Sequence, residues 1–121
     1  MNNPHSYAET FIAEDAVKIA ARARGLELGA IDASQGTGAY LRHLAHLLNA
    51  QSVVEIGTGS GVGSLWILEG MINSGTLTSI DDEMEHTSIA KLAMADAEIS
   101  QSRYRFITNS VMDVMTKLTD R

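Results

Sequence analysis

The segment VVEIGTGSGVGS, Val53 to Ser64, constrains this chain more than any other. Four glycines (Gly57, Gly59, Gly61 and Gly63) occupy seven positions directly behind an apolar run ending in Glu55 and Ile56. Glycine loses more backbone freedom on folding than any other residue, so such a cluster has to answer to a sharp bend or a close approach. A β-branched run before it and an apolar stretch after it read as strand, turn and helix. The helix start offers free N–H groups and a positive dipole end. The carboxyl end of such a strand is where open α/β sheets hold nucleotide-like ligands.

The rest of the chain supports that frame. Tyr7 to Leu28 is Ala-rich and reads as helix with a break near Ala13–Asp15, and Gly25 and Gly29 mark its end. Ile31 to Gly38 reads as loop, with Ser34 a candidate N-cap. Tyr40 to Leu48 is a helix with Leu41, Leu44, Leu47 and Leu48 on one stripe. SVVEI reads as a buried strand, and a helix begins near Gly61. Gly75–Ile80 is a second strand, followed by an acid-headed helix with Ile89, Leu92, Ala93 and Met94 as its stripe. YRFIT is a third strand, and Val111, Val114, Met115 and Leu118 mark a last helix.

The reading is therefore a helical lead over about 6–50 and β-α-β-α-β-α over about 52–118, all one domain spanning 1–121. The fold class is α/β: a partial doubly wound, Rossmann-like parallel sheet of three strands, with N-terminal helices. Right-handed crossovers put the first strand innermost, the second beside it and the third outside.

Bulk properties narrow the partners. The formal net charge is −6, and the 9 Lys and Arg are scattered, which argues against nucleic acid and anionic membranes. No apolar run approaches the roughly 20 residues of a membrane span. The N-terminus lacks the basic and apolar pattern of a secretory leader. Cysteine is absent, which removes disulfides and thiolate sites and fits a cytoplasmic protein. His43 and His46 lie three apart on a helix and read as a solvated face, and His86 reads as a surface residue. The acids from Asp81 to Glu85 read as a solvated first helical turn, so no metal ligands are assigned.

The glycine spacing sharpens the ligand. In three registers the third glycine of a G-x-G-x-x-G fingerprint falls on Val62, Ser64 or Trp66, and no lysine follows as a phosphate loop needs. What stands here is E-x-G-x-G-x-G from Glu55, with a strand-terminal acid, Asp81, about one β-α-β step later.

That pattern resembles motif I of the class I S-adenosylmethionine-dependent methyltransferases. From Ala13 to Leu118 the chain is similar to the N-terminal portion of bacterial O-methyltransferases of the catechol and caffeoyl-CoA type. The resemblance implies a cofactor site. Gly57, Thr58, Gly59 and Gly61 would form the turn under the methionine part, with Glu55 bracing it by accepting loop N–H groups. Asp81 would hold the ribose. Ser64, Asp82 and Ser110 would complete the site, Ser110 standing where many relatives carry an Asp beside adenine. Gly63 stands where relatives have a serine, and Asp82 where they have an apolar residue.

In that family the metal and catalytic groups follow a fourth strand. A divalent metal such as magnesium and the acceptor site then belong to a longer parent, and no catalytic residue is assigned here. The implied activity is methyl transfer to a hydroxyl of a small acceptor. The chain reads as a fragment whose first strand has an open edge suited to a homodimer. Two alternatives stand: a non-catalytic cofactor-binding or dimerising fragment, and a nicotinamide-dependent oxidoreductase.

Overall fold

The computed structural model describes residues 4–119; the first three residues and the final two, part of the terminal readings above, lie outside them. The order is α1 (Pro4–Thr10), α2 (Ala16–Glu27), α3 (Gln35–Leu47), β1 (Ser52–Ile56), α4 (Val62–Gly70), β2 (Thr76–Asp81), α5 (Met84–Asp96), a 3-10 turn (Gln101–Arg103), β3 (Tyr104–Thr108) and α6 (Val111–Thr119). The three strands are parallel in the order β1-β2-β3, with Ile56 beside Ile80 and Asp81 beside Thr108. The strand order matches the winding read from the sequence.

The core forms around α4. Val62 to Leu68 are all buried, as befits a helix with apolar residues on every side. Trp66, Leu68, Leu77, Ile80 and Met94 are the largest fully buried apolar side chains among the described residues. The lead helices are fastened to it by charge. Buried Lys18 pairs with Glu69 and with Asp15 (3.0 Å), and its Nζ lies 4.4 Å from the Trp66 ring centroid. The Trp66 indole N–H donates to Glu14 (3.1 Å), which also takes two bonds from Arg22. Burial by itself would raise the Glu14 carboxyl, and the bonds from Arg22 and Trp66, with the charges of Arg22 and Lys18, together hold it below its ordinary value.

Several local readings change. The chain from Gln35 to Gly38 is helix rather than loop, because Ser34 caps α3 by accepting from the Thr37 N–H (3.2 Å). Gly25 lies inside α2 and is buried; Gly29, at φ +74°, makes the turn. β1 is not a buried strand: Val54 and Ile56 are about half exposed. Its second edge pairs with no strand among the described residues. Leu47 and Leu48, at the end of α3, are exposed as well. Leu92 faces outward, and Thr87, Ala90, Ala93 and Met94 form the buried stripe of α5.

Candidate functional site

All three strands end on one rim, where the β1–α4 turn, the Asp82–Glu83 turn and the Asn109–Ser110 turn meet. The β1–α4 turn is built from left-handed backbone: φ is +88° at Gly57, +56° at Gly59 and +95° at Gly61. At Gly61, which caps α4, a side chain would also press on Ala90 and Ala93 of α5. Above Gly57 the space is open, with nothing within 4 Å of where a side chain would stand.

The N–H groups of this turn are held from several sides. Gly57 donates to the Ile80 carbonyl (2.8 Å), Gly59 to Asp81 Oδ2 (3.1 Å) and Ser60 to Asp32 Oδ1 (2.9 Å). Asp81 is buried and accepts two further hydrogens, from the Glu83 N–H (2.8 Å) and His86 Nδ1 (3.3 Å). His86 is thus not a plain surface residue. A carboxylate accepts up to about four hydrogen bonds, so Asp81 keeps capacity for one more.

Glu55 acts differently from the expectation. It accepts no loop N–H; its Oε1 takes the hydroxyls of Ser64 (2.6 Å) and Ser79 (2.7 Å). Burial raises its pKa above the ordinary carboxylate value, only partly offset by those two hydroxyls, and the charges of Asp32 and Asp81 raise it further. Gly63 belongs to this arrangement. A side chain there would come within 2.7 Å of Glu55 Oε2, so glycine at 63 makes room for the carboxyl.

Two more expected ligands turn inward. The Ser64 side chain is fully buried and committed to Glu55, which removes it from the rim. The Thr58 hydroxyl is buried against Ser79 Oγ (2.7 Å), and the whole residue is 1% exposed, so neither its side chain nor its main chain reaches solvent. Asp82 and Ser110 are exposed on the neighbouring turns, and the Asn109 N–H bonds to the Asp81 carbonyl (3.0 Å), which joins the second and third turns. Asp32 escaped the sequence reading, because an acid in an irregular connection carries no periodic signal.

A cavity of about 510 Å³ runs beside the open edge of β1, from Leu41, Leu44 and Val53 to Glu55, Gly57 and Gly63. It touches the glycine turn at one end and does not reach Asp81, Asp82 or Ser110. Among the described residues no group of three or more His, Asp or Glu side chains is arranged to hold a metal ion. No described helix is long and apolar enough to cross a membrane.

Comparisons with known proteins agree with this geometry. A family model described as O-methyltransferase matches residues 3–121. A provisionally named O-methyltransferase of Mycobacterium sp. (strain KMS) is 47% identical over 115 residues, covering 95% of this chain and 52% of its own length. A crystal structure of a Corynebacterium glutamicum protein superposes with a TM-score of 0.83 at 33% identity, covering 93% of this chain and 54% of that one. The O-methyltransferase TomG from Streptomyces achromogenes, involved in tomaymycin synthesis and solved in complex with SAM, gives a TM-score of 0.85 at 25% identity. It covers 95% of this chain, and this chain covers 52% of it. The chain thus spans about half the length of these relatives. With a family model that matches residues 3–121, nearly the whole length, the chain belongs to the O-methyltransferase family.

Proposed function

We propose that this chain carries the cofactor-binding half of an enzyme that transfers a methyl group from S-adenosylmethionine to a hydroxyl of a small acceptor. The observation that carries the reading is the left-handed glycine turn at the end of β1, tied to the strand-terminal acid of β2 by the Gly59–Asp81 bond. Open space above Gly57 admits a ligand against the main chain. TomG, solved with SAM, shares this half of the fold, which supports the same cofactor here.

In this reading Gly57, the exposed residue of the turn, offers its main chain to the methionine part, buried Thr58 and Gly59 shape the turn beneath it, and Gly61 starts the helix whose positive dipole end favours the cofactor's carboxylate. Asp81 spends its remaining acceptor capacity on a ribose hydroxyl. Asp82 and Ser110 flank the adenine end. Glu55, braced by Ser64 and Ser79, faces the cavity and the cofactor's ammonium. The bound cofactor supplies a methyl group on a sulfonium, which is a good leaving group. The protein's contribution is therefore positioning, and no protein nucleophile is needed.

A divalent metal and the acceptor pocket belong to the longer parent in this proposal, and no step is assigned to them. A cytoplasmic setting rests on the cysteine-free composition. A second reading, a cofactor-binding or dimerising module without chemistry, is favoured by the open edge of β1 and the apolar cavity along it. A homodimer through that edge is common to both readings.

Calorimetric titration with S-adenosylhomocysteine, run beside NADH, tests the cofactor assignment. Saturable binding of the first alone is the predicted result. Binding of NADH alone, or of neither, contradicts it.

A further inference from the structure

The cofactor reading leaves one carboxylate beside the glycine turn without a role. Asp32 lies between α2 and α3. Its Oδ1 accepts the Ser60 N–H (2.9 Å) and its Oδ2 the Ser60 hydroxyl (2.5 Å). Ser60 is fully buried, so both donors depend on this one side chain for an acceptor. The next residue but one, Ser34, caps α3, so helix capping does not account for Asp32.

Two glycines on different elements make room for the same carboxylate. A side chain at Gly25 of α2 would stand 2.7 Å from both Asp32 Oδ2 and the Ser60 Cβ, and one at Gly59 would collide with Asp32 Oδ1. The connection is held from behind as well: Arg22 donates to the Ala33 carbonyl (2.7 Å), one residue beyond Asp32. The consecutive N–H groups of Gly59 and Ser60 are thus drawn to carboxylates on opposite sides, Asp81 from the sheet and Asp32 from the lead segment.

We infer that Asp32 is a positioning residue that holds the crest of the glycine turn in its ligand-ready shape, and that ligand capture at the turn depends on the docked α2–α3 connection. The second half of this inference rests on the cofactor reading above; the first does not. Both contacts can survive without the charge: an asparagine at 32 offers its oxygen to the Ser60 N–H, and its amide nitrogen donates to the Ser60 hydroxyl oxygen, reversing the second bond.

The test compares Asp32→Ala, Asp32→Asn and Ser60→Ala in two measurements on the whole chain. Amide hydrogen exchange without ligand reads the shape of the turn. Titration with S-adenosylhomocysteine reads capture. Asp32→Ala should speed exchange at Gly59–Gly61 by about tenfold or more while α4 beyond Leu65 stays as protected as in the parent, and should weaken binding by about tenfold. Asp32→Asn should restore both to within about threefold, and Ser60→Ala, which keeps the N–H bond, should fall between. Parent-like exchange in Asp32→Ala overturns the inference, as does an Asp32→Asn variant as damaged as Asp32→Ala. Should the parent itself not bind S-adenosylhomocysteine, the cofactor reading falls, while the ligand-free exchange still decides the role of Asp32.

Discussion

The carboxylate of Asp81 accepts the main-chain N–H of Gly59 at 3.1 Å and thereby ties the end of β2 to the turn that leaves β1. It also takes the Glu83 N–H and His86 Nδ1, so removing the side chain deprives three donors of their acceptor, the buried Gly59 N–H among them. Asp81→Ala should cost about 3 kcal/mol of stability, from roughly 1–3 kcal/mol per unsatisfied buried group, and abolish measurable S-adenosylhomocysteine binding. Chemical denaturation and calorimetry check the two effects. An Asp81→Ala variant that binds like the parent contradicts the assigned role.

Gly61 combines a left-handed backbone, φ +95°, with close contact to Ala90 and Ala93. Gly61→Ala should therefore destabilise the chain by about 2 kcal/mol, the left-handed cost of roughly 1–2 kcal/mol plus crowding against α5. Gly57→Ala meets only the conformational cost, because the space beside it is open. Thermal unfolding of the two variants should rank Gly61→Ala as the more damaging.

Glu55 and Glu14 should pull the pH dependence of stability in opposite directions. The folded-state pKa of Glu55 is raised from 4.5, so its contribution favours folding at low pH and is lost as pH climbs from that value through the raised one. The folded-state pKa of Glu14 is lowered, so its contribution is present above 4.5 and is lost as pH falls through the lowered value. Glu55→Gln should flatten the decline of melting temperature just above pH 4.5, and Glu14→Gln should flatten the loss below it. Melting curves over that range read both slopes.

Lys18 is buried between Glu69, Asp15 and the face of Trp66. Lys18→Met keeps much of the stem volume and removes the charge. It should cost about 2 kcal/mol, below the 3–5 kcal/mol of a fully buried broken pair because Glu69 and Asp15 reach solvent. Denaturant titration checks the size. The variant should leave exchange at Gly57–Gly61 unchanged, since the lead segment meets the turn through Gly25 of α2 and Asp32 of the α2–α3 connection.

The open edge of β1 carries half-exposed Val54 and Ile56. Pairing through this edge predicts self-association that weakens when charge is placed on it. Sedimentation at rising concentration should show a dimer for the parent and a monomer for Val54→Lys. A parent chain that stays monomeric throughout contradicts the homodimer.

The glycine turn, the strand order and Asp81 were legible because each leaves a local mark: a spacing, a β-branched run, an acid at a strand end. The three failed dinucleotide registers point away from nicotinamide, as does the family of the chain. What stayed hidden depends on tertiary contacts. The inward hydroxyls of Thr58 and Ser64 look from sequence like rim ligands, yet they are spent on Ser79 and Glu55. Asp32 and His86 gain their places only when the α2–α3 connection and α5 close on the turn. The exposure of β1 depends on which neighbours are present, and an apolar run by itself does not encode that.

The most direct measurement is amide chemical-shift mapping of the chain as S-adenosylhomocysteine is added. The account predicts saturable shifts centred on Gly57, Gly59, Gly61 and Asp81, extending to Asp82 and Ser110, with α1 silent. Shifts confined to the cavity wall along Leu41, Leu44 and Val53, or no saturable shifts at all, would contradict it.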